Sequence, residues 1–380
     1  MLALKGLASL GAAALVSGCG GSGVAPAPVT VAQGDHSPSV VSGPTSESPP
    51  ETGRALHRRV VVTDLTSPWG LVFLPGGKAL VSERDPGNIV VVRPDGRKLL
   101  VKHVKGVSSN GQQGGEAGLL GLAISPRFTH NHWVYAYMSA KHDNRIVRMR
   151  WHRGKLGHKH VIHRGIPRGL HHNGGRIGFG PDGMLYATTG ETGVGSLAQN
   201  LHSLGGKILR MTPRGKPAPG NPFKGSVVYS YGHRNVEGLA WDGAGRLWAT
   251  EFGEHAYDEL NLIRPGHNYG WPMVEGHSHQ FTNPKAVWHT EQAGPSGIAI
   301  RSSGHQTVAW VATLTGERLY RVRLNGPSVT GRTASLHNTL GRIRTVAIAP
   351  SGRLWVVTSN TDGRATPHTH DDKIIAVWFS

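Results

Sequence analysis

Several features that would define other classes of protein are missing from this sequence of 380 residues. It contains one cysteine, so no disulfide can form within the chain. It has no P-loop and no G-x-G-x-x-G segment in a βαβ setting, which argues against nucleotide and nicotinamide chemistry. No stretch has the pattern of a long amphipathic helix. The 54 glycines and 24 prolines, set among many short apolar runs, instead favour turns and short strands.

Acidic residues are also scarce. The chain has 23 acidic and 41 basic residues, and its formal net charge is +18. The basic residues are scattered, and no basic run is interleaved with aromatic residues, so the composition does not predict nucleic-acid binding. A solvated basic surface that is attracted to anionic lipid or cell-wall polymers is the simpler interpretation.

The only cysteine, Cys19, follows a short apolar run at residues 7–16 that is too short for a membrane span and suits a signal segment. The motif Val16-Ser17-Gly18-Cys19 is similar to a bacterial lipobox, in which the cysteine is lipidated. We therefore expect residues 1–19 to be a lipoprotein-type signal peptide, with a plain secretory signal or a stray core cysteine as the alternatives. Residues 20–55 are rich in Gly, Ser, Pro and Thr, which is typical of a disordered tether. This arrangement predicts a protein outside the cytoplasm, either secreted or lipid-anchored to the outer face of the bacterial cytoplasmic membrane.

Residues 56–380 contain six units in which three apolar runs are joined by Gly, Pro and Asp turns. Repeats of this length and pattern predict an all-β, six-bladed β-propeller, because a single small sheet cannot bury both of its faces. A pair of β-sandwiches is the alternative, but it does not explain the repeat. The run at residues 58–65 has no partner in its own unit, so we expect it to complete the last blade. The units span residues 67–92, 118–151, 175–213, 236–266, 296–324 and 343–379.

Five turn segments carry more polar chemistry than a turn requires. Most of them stand at the entrance to the first strand of a unit, which would place them on one face of the propeller ring. They are Gly115-Glu116, His171-His172-Asn173, Gly190-Glu191, Gly232-His233-Arg234-Asn235 and Arg342-Ile343-Arg344.

These segments resemble those of the soluble quinoprotein aldose sugar dehydrogenases, also called the glucose/sorbosone dehydrogenase family. The resemblance runs from about Leu65 to the C-terminus, and it implies a six-bladed propeller that uses pyrroloquinoline quinone (PQQ) and calcium. It further implies that aldose sugars are oxidised at C1 to lactones and that the electrons pass to an external quinone or redox protein. The most specific segments are HHNGGRIGFGPDG, YGHRNVEGLAW and DELNLIRPGHNYGWP.

The resemblance assigns His172 as the catalytic base, with His171 as its nearest rival. A neutral imidazole suits proton removal from a sugar hydroxyl at neutral pH. Glu191 matches a position where the family can carry an aspartate that orients the histidine. Arg234 and Asn235 match the pair beside the quinone carbonyls, where a guanidinium stabilises developing negative charge.

The cofactor carries three carboxylates, and the resemblance assigns Arg342 and Arg344 to them. Arginine suits bidentate carboxylate binding, and the alternation of an extended segment points both side chains to the same side. Glu116 matches a position where relatives can carry glutamine, and a carboxylate there would need a partner beside an anionic cofactor. A lysine of some relatives is missing, because the matching segment reads Ala312-Thr313-Leu314-Thr315-Gly316.

Calcium takes oxygen ligands, among them backbone carbonyls. The resemblance assigns the carbonyls of Gly253 and Glu254 to the calcium that polarises the quinone. Glu259 and Tyr269 match a second, structural calcium site in relatives.

Three alternatives remain open from the sequence. The propeller could bind an extracellular sugar or protein without catalysis, or it could be a calcium-dependent lactonase, which would not need Arg342 and Arg344. The His-rich segment TPHTHDD at residues 366–372 could bind a transition metal, but a polar loop of the last blade is the favoured interpretation.

Overall fold

Short strands joined by turns and loops make up most of the described part of the chain. The computed structural model describes residues 55–304 and 306–380, and these residues form 25 strands. In chain order the strands are β1 (Leu56–Val62), β2 (Pro68–Phe73), β3 (Ala79–Glu83), β4 (Asn88–Val92), β5 (Lys98–His103), β6 (Leu119–Ile124), β7 (Trp133–Ser139), β8 (Asn144–His152), β9 (Lys155–Leu156), β10 (His160–Ile166), β11 (Ile177–Phe179), β12 (Leu185–Thr188), β13 (Lys207–Met211), β14 (Val228–Tyr231), β15 (Asn235–Trp241), β16 (Leu247–Phe252), β17 (Tyr257–Ile263), β18 (Ala286–His289), β19 (Pro295–Ser303), β20 (Gln306–Thr313), β21 (Leu319–Asn325), β22 (Ser328–Ser335), β23 (Ile343–Ile348), β24 (Leu354–Thr358) and β25 (Ile374–Phe379).

Helices are short in this part of the chain. A 3-10 turn spans Gly111–Gln113, α1 spans Phe128–Asn131 and α2 spans Ser196–Gln199. Within residues 55–304 and 306–380, no helix has the length and apolar character needed to cross a membrane.

The strands pair into six antiparallel sheets, with strand orders β2-β3-β4-β5, β6-β7-β8-β10, β11-β12-β13-β14, β15-β16-β17-β18, β19-β20-β21-β22 and β23-β24-β25-β1. The first strands of successive sheets contact each other in the order β2, β6, β11, β15, β19 and β23, and β23 contacts β2 again. This closed ring confirms the predicted six-bladed β-propeller. The short strand β9 adds to the second blade by pairing with β8.

The ring closes through the pairing of β1 with β25, which places Arg58 opposite Val377. The prediction that residues 58–65 complete the last blade is therefore confirmed. The three runs of each unit leave out one strand in the first five blades, because each of these blades has a fourth, outer strand of its own. Several of these outer strands are largely solvent-exposed; β5, for example, buries only Val101, whereas β18 buries Ala286, Val287 and Trp288. An exposed strand such as β5 lacks the apolar pattern that marks the inner three.

Hydrophobic packing lies between the blades. The described residues form six buried clusters, and each joins the facing side chains of two neighbouring sheets. Trp248 of the fourth blade, for example, packs with Val311 and Tyr320 of the fifth. Every blade therefore depends on its neighbours for burial of its apolar faces.

The inner strands approach each other too closely for side chains at several recurring glycines. A Cβ atom on Gly121 would lie 2.3 Å from the Gly175 carbonyl oxygen, and one on Gly238 would lie 2.3 Å from that of Ser296. Gly70 meets the carbonyl of Leu120 in the same way. Each of these glycines lies at a register irregularity in its strand. The inner strands therefore meet around a narrow central axis, and the loops at their ends converge.

The predicted signal peptide, residues 1–19, and the predicted tether up to residue 54 lie outside the described residues.

Candidate functional site

A histidine and a buried carboxylate form the centre of the site. His172 lies just before β11, and Glu191 follows β12. Nδ1 of His172 lies 2.5 Å from Oε1 of Glu191, and the Glu191 residue is only 2 % exposed. A neutral His172 that donates from Nδ1 to the carboxylate keeps Nε2 as the nitrogen that can accept a proton. The longer side chain of glutamate thus reaches the histidine.

The backbone around this pair is tightly constrained. His172 has a positive φ of 52°, which is uncommon for a residue other than glycine. Its N–H donates to Oε2 of Glu116 at 2.7 Å, and its carbonyl accepts from the N–H of Thr192. A Cβ atom on Gly190 would lie 2.0 Å from the same carbonyl oxygen, so only glycine fits there. The position of the imidazole therefore depends on both neighbouring loops.

Glu116 is paired, as a carboxylate beside an anionic cofactor would have to be. Its Oε1 lies 3.0 Å from a guanidinium nitrogen of Arg364, a residue in the loop between β24 and β25. Burial alone would raise the pKa of Glu116. The positive charge of Arg364 and the hydrogen bond from the N–H of His172 instead hold this pKa below its usual value. The same guanidinium donates to Nδ1 of His171 at 3.0 Å. The side chain of His171 thus contacts Arg364, while the Glu116 carboxylate accepts from the backbone of His172.

Arg234 is held in place by a hydrogen bond to its backbone and by an aromatic contact to its side chain. Its N–H donates to Oε1 of Glu251 at 2.6 Å, and its guanidinium carbon lies 5.3 Å from the ring centre of Trp271. The other oxygen of Glu251 accepts from Nδ1 of His233 at 2.8 Å, and Nε2 of His233 lies 2.8 Å from Oγ of Ser230. Ser230 and His233 are fully buried, so this chain of hydrogen bonds holds Arg234 in place and has no access to substrate.

The next residue, Asn235, links two loops. Its Oδ1 accepts from the N–H of Gly174, next to the predicted histidine pair, at 3.0 Å. Its position pairs with Gly190 in an isolated bridge. The structure therefore brings Asn235, Arg234, Glu191 and His172 together around one end of the channel.

Arg342 and Arg344 point to the same side of β23 and share one carboxylate. Oδ2 of Asp362 lies 3.2 Å from Nη2 of Arg342 and 3.3 Å from Nη2 of Arg344. Arg344 also lies 2.6 Å from Oε2 of Glu237 in β15. Burial alone would raise the pKa of Asp362, but the two arginines hold it below its usual value. Both guanidiniums are therefore ordered by carboxylates of the chain itself.

Four acidic residues that follow the second strand of a blade each contact a cation or histidine of the site. Asp85 binds Arg84 at 2.8 Å, Glu254 lies 3.8 Å from Arg234, and Glu191 and Asp362 have the partners described above. Sequence analysis missed Asp85, Asp362, Glu237 and Arg364. An alignment of the six units on their second strands could have found Asp85 and Asp362, because an acidic residue recurs two to four positions after β3, β12, β16 and β24.

A second buried charge supports the loop that carries Glu191. Lys207 at the start of β13 is fully buried, and its ammonium donates to three backbone carbonyls. Burial lowers the pKa of Lys207 to about 7, although three donated bonds favour the ammonium form. The acceptors belong to Leu197, Ala198 and Gly205, all in the loop that contains α2.

The proposed calcium turn, Gly253 and Glu254, is shaped by two carboxylates. The N–H of Gly253 donates to Asp258, and the N–H groups of residues 254–257 donate to Glu275. Burial raises the pKa of Asp258 to about 7. A Cβ atom on Gly253 would lie 2.0 Å from the carbonyl oxygen of Tyr257, so the turn requires glycine. This turn adjoins Arg234 through the side chain of Glu254.

Glu259 and Tyr269 line one small cavity of about 10 Å³, together with Glu251. Burial, and then the negative charge of Glu251, raise the pKa of Glu259 to about 8. The Tyr269 hydroxyl donates to the carbonyl of Leu262 and accepts from the N–H of Arg264. In residues 55–304 and 306–380, no three His, Cys, Asp or Glu side chains are grouped so as to hold a metal ion by themselves.

The His-rich segment at residues 366–372 forms a polar loop of the last blade. Its Asp372 accepts from Thr358, Asn360 and Thr361, and its His370 lies 3.0 Å from Asp64. These contacts close the loop onto the blade, which agrees with the favoured interpretation.

The fold and this site define a class of propeller enzyme. In it a histidine that is hydrogen-bonded to a buried carboxylate lies near several arginines whose guanidiniums are held by carboxylates of the chain. Residues 65–367 match the family model described as Glucose / Sorbosone dehydrogenase, and the chain belongs to this family. The predicted membership is confirmed, and with it the predicted enzyme class, an oxidoreductase.

Known relatives support the same assignment. The chain is similar to the PQQ-bound aldose sugar dehydrogenase structure from Streptomyces coelicolor, with 51% identity and a TM-score of 0.81 over 87% of this chain and 100% of that one. It is 27% identical to the aldose sugar dehydrogenase YliI of Escherichia coli, over 80% of this chain and 90% of that protein. It is 31% identical to quinoprotein glucose dehydrogenase B of Acinetobacter calcoaceticus, over 58% of this chain and 53% of that protein.

Proposed function

We propose that the protein oxidises aldose sugars at C1 to the lactone, with PQQ as cofactor and calcium as its metal, and passes the electrons to an external acceptor. The observation that carries this proposal is the buried Glu191 carboxylate, held 2.5 Å from Nδ1 of His172, in a residue whose backbone N–H donates to the Arg234 carbonyl. The PQQ-bound structure and the quinoprotein among the relatives support the choice of cofactor.

The polar groups of the site fit an anionic quinone. Nε of Arg234 and Nε of Arg344 are buried and have no hydrogen-bond partner among the described residues. Buried donors of this kind are costly unless a ligand satisfies them. Arg342, Arg344 and Arg364 would hold carboxylates of the cofactor, since guanidiniums bind them in a planar, bidentate way. Arg364 adds a cation in a chain whose segment 312–316 lacks the lysine of some relatives.

PQQ, when bound, supplies the quinone that accepts a hydride from C1 of the sugar. The residues of the chain handle the proton and the charge. Nε2 of His172 accepts the proton of the C1 hydroxyl, because Nδ1 is held by Glu191. The buried carboxylate then stabilises the imidazolium that results. The guanidinium of Arg234 would stabilise negative charge on the reduced quinone.

Calcium fits the oxygen-rich turn around Gly253. The carbonyls of Gly253 and Glu254 are the proposed ligands near the quinone, where calcium would act as a Lewis acid. A second ion would bind near Glu259 and Tyr269. Burial and the charge of Glu251 raise the pKa of Glu259 there, and a cation in the cavity between them would offset both effects.

The chain would act outside the cytoplasm, held to the membrane by a lipid on Cys19 or released by secretion. The motif at residues 16–19 and the polar composition of residues 20–55 support this location.

The test is reconstitution of the mature protein with PQQ and calcium. Reduction of an artificial dye is followed with a panel of aldoses, and the lactone is trapped with hydroxylamine. We expect dye reduction to require PQQ, calcium and sugar together. A protein that binds no PQQ, or reduces the dye equally well without it, would refute the proposal.

A further inference from the structure

Several exposed apolar side chains are close in sequence to residues of the site. The described residues expose eight large hydrophobic side chains, and four of them lie on loops next to the site. We call these four the apolar collar; they are Leu170, Val194, Leu201 and Met273, with exposed fractions of 48%, 50%, 38% and 42%.

The loops that carry the collar are in contact with one another. A Cβ atom on Gly169 would lie 2.7 Å from Cβ of Thr192, which connects the loop of Leu170 to the loop of Val194. A Cβ atom on Gly195 would lie 3.0 Å from Cβ of Pro272, the neighbour of Met273. The three segments of the chain that carry the collar are therefore neighbours.

Each of these segments also carries a residue of the site. Leu170 precedes His172 by two positions, and Val194 follows Glu191 by three. Met273 follows Trp271 by two positions, and the Trp271 ring contacts the Arg234 guanidinium. A protein that covers the collar would therefore contact the loops that carry the reacting groups.

Exposed apolar groups that cluster in this way mark an interaction surface. A polar aldose finds its hydrogen-bond partners inside the site, and a single small quinone would touch only part of a rim spread over three loops. A protein surface can contact all of it. Encounters between redox proteins use small interfaces with an apolar centre and a charged border.

The positive net charge of the chain indicates what kind of protein would dock on the collar. The net charge of +18 attracts acidic proteins over long distances and accelerates their association. Beside the collar the exposed Arg364 and Glu254 are both within reach of an opposite charge, Glu116 and Arg234, so the attraction rests on the net charge of the chain. We infer that the apolar collar is the docking surface for an acidic, one-electron redox protein that accepts the electrons of the sugar. This inference rests on the proposed function and names the acceptor.

The reaction balances with such a partner. Oxidation of one aldose to its lactone releases two electrons and two protons. Two acceptor molecules each take one electron, and the protons pass to water.

The experiment compares two acceptors with the reconstituted holoenzyme at saturating sugar. One is an acidic c-type cytochrome and the other is the dye dichlorophenolindophenol, which needs no docking surface. The test variant is L170S/V194T/M273Q. The control is L99S/L100S, which removes two exposed leucines from β5, far from the site. Melting temperatures show whether each variant is folded.

We expect the test variant to reduce the cytochrome at least tenfold more slowly at limiting cytochrome concentration, while its dye reduction stays within twofold. The control should match the wild type with both acceptors, and added salt should slow the wild-type reaction with the cytochrome. An equal loss with cytochrome and dye would overturn the inference, because the collar would then serve the sugar site. An unchanged cytochrome rate, or a wild type that reduces the dye but not the cytochrome, would overturn it too. A wild type that reduces neither acceptor would refute the proposed function itself.

Discussion

Gly190 offers the sharpest test of how the base is positioned. In G190A the new Cβ would lie 2.0 Å from the carbonyl oxygen of His172, and Cβ contacts below 3.0 Å are essentially never observed. The other close atom is Oδ1 of Asn235 at 2.9 Å, so the loop of His172 must move by about 1 Å. A displacement of this size can cost about 100-fold in rate, or about 2.7 kcal/mol of transition-state stabilisation. We expect kcat to fall by about this factor.

The assay is dye reduction by the reconstituted enzyme at saturating sugar, together with thermal unfolding. The control is G157A, whose Cβ would lie 3.5 Å from the nearest atom, the carbonyl oxygen of Arg150. Neither glycine has a φ in the left-handed region, so the two changes differ mainly in the space available. Overpacking should also lower the free energy of unfolding of G190A by about 1–3 kcal/mol. A folded G190A enzyme with kcat within twofold of G157A would refute the assigned position of the base.

Three further predictions concern the base, the guanidiniums and the buried lysine. H172A should lower turnover by a factor of about 100 to 10,000 while PQQ binding, followed by fluorescence titration, is retained; near-normal turnover would remove His172 as the base. R342A/R344A should weaken PQQ binding in the same titration, and unchanged affinity would place the cofactor elsewhere. For Lys207, with a folded pKa of about 7 and an ordinary value near 10.5, the unfolded chain binds more protons between these pH values. The free energy of unfolding should therefore rise with pH in this window, by up to about 1 kcal/mol per pH unit relative to K207M. Urea unfolding of both proteins measures this. If the difference in stability between wild type and K207M does not change with pH, the lowered pKa is contradicted.

Much of the architecture follows from patterns that are local in the sequence. The six units, the ring closed by residues 58–65 and the convergence of the polar turns were all predicted, because period-two strands and Gly/Pro turns depend on neighbouring residues. Of the outer strands, β1 was predicted, whereas exposed ones such as β5 were missed. A strand such as β5, exposed on both faces apart from Val101, has no alternation that can be read.

The sequence by itself determined the residue types of the site and the face of the ring where they gather. His172, Glu191, Arg234 and the pair Arg342 and Arg344 stand in turns whose place in the repeat fixes their end of the channel. Resemblance to a known family supplied their roles.

Only the tertiary structure decided how these charges are paired. Arg364 and Glu116 are separated by 248 positions in the sequence, and they meet because the closed ring brings the loop between β24 and β25 to the loop between β5 and β6. The contact of Glu237 with Arg344 likewise joins the fourth and sixth blades across the channel. A buried charge that has no partner destabilises the fold, so burial makes such ion pairs important. Which charges are buried, however, depends on all six blades together. The sequence of a single turn therefore does not show which charged residue elsewhere in the chain its own charged residue will pair with.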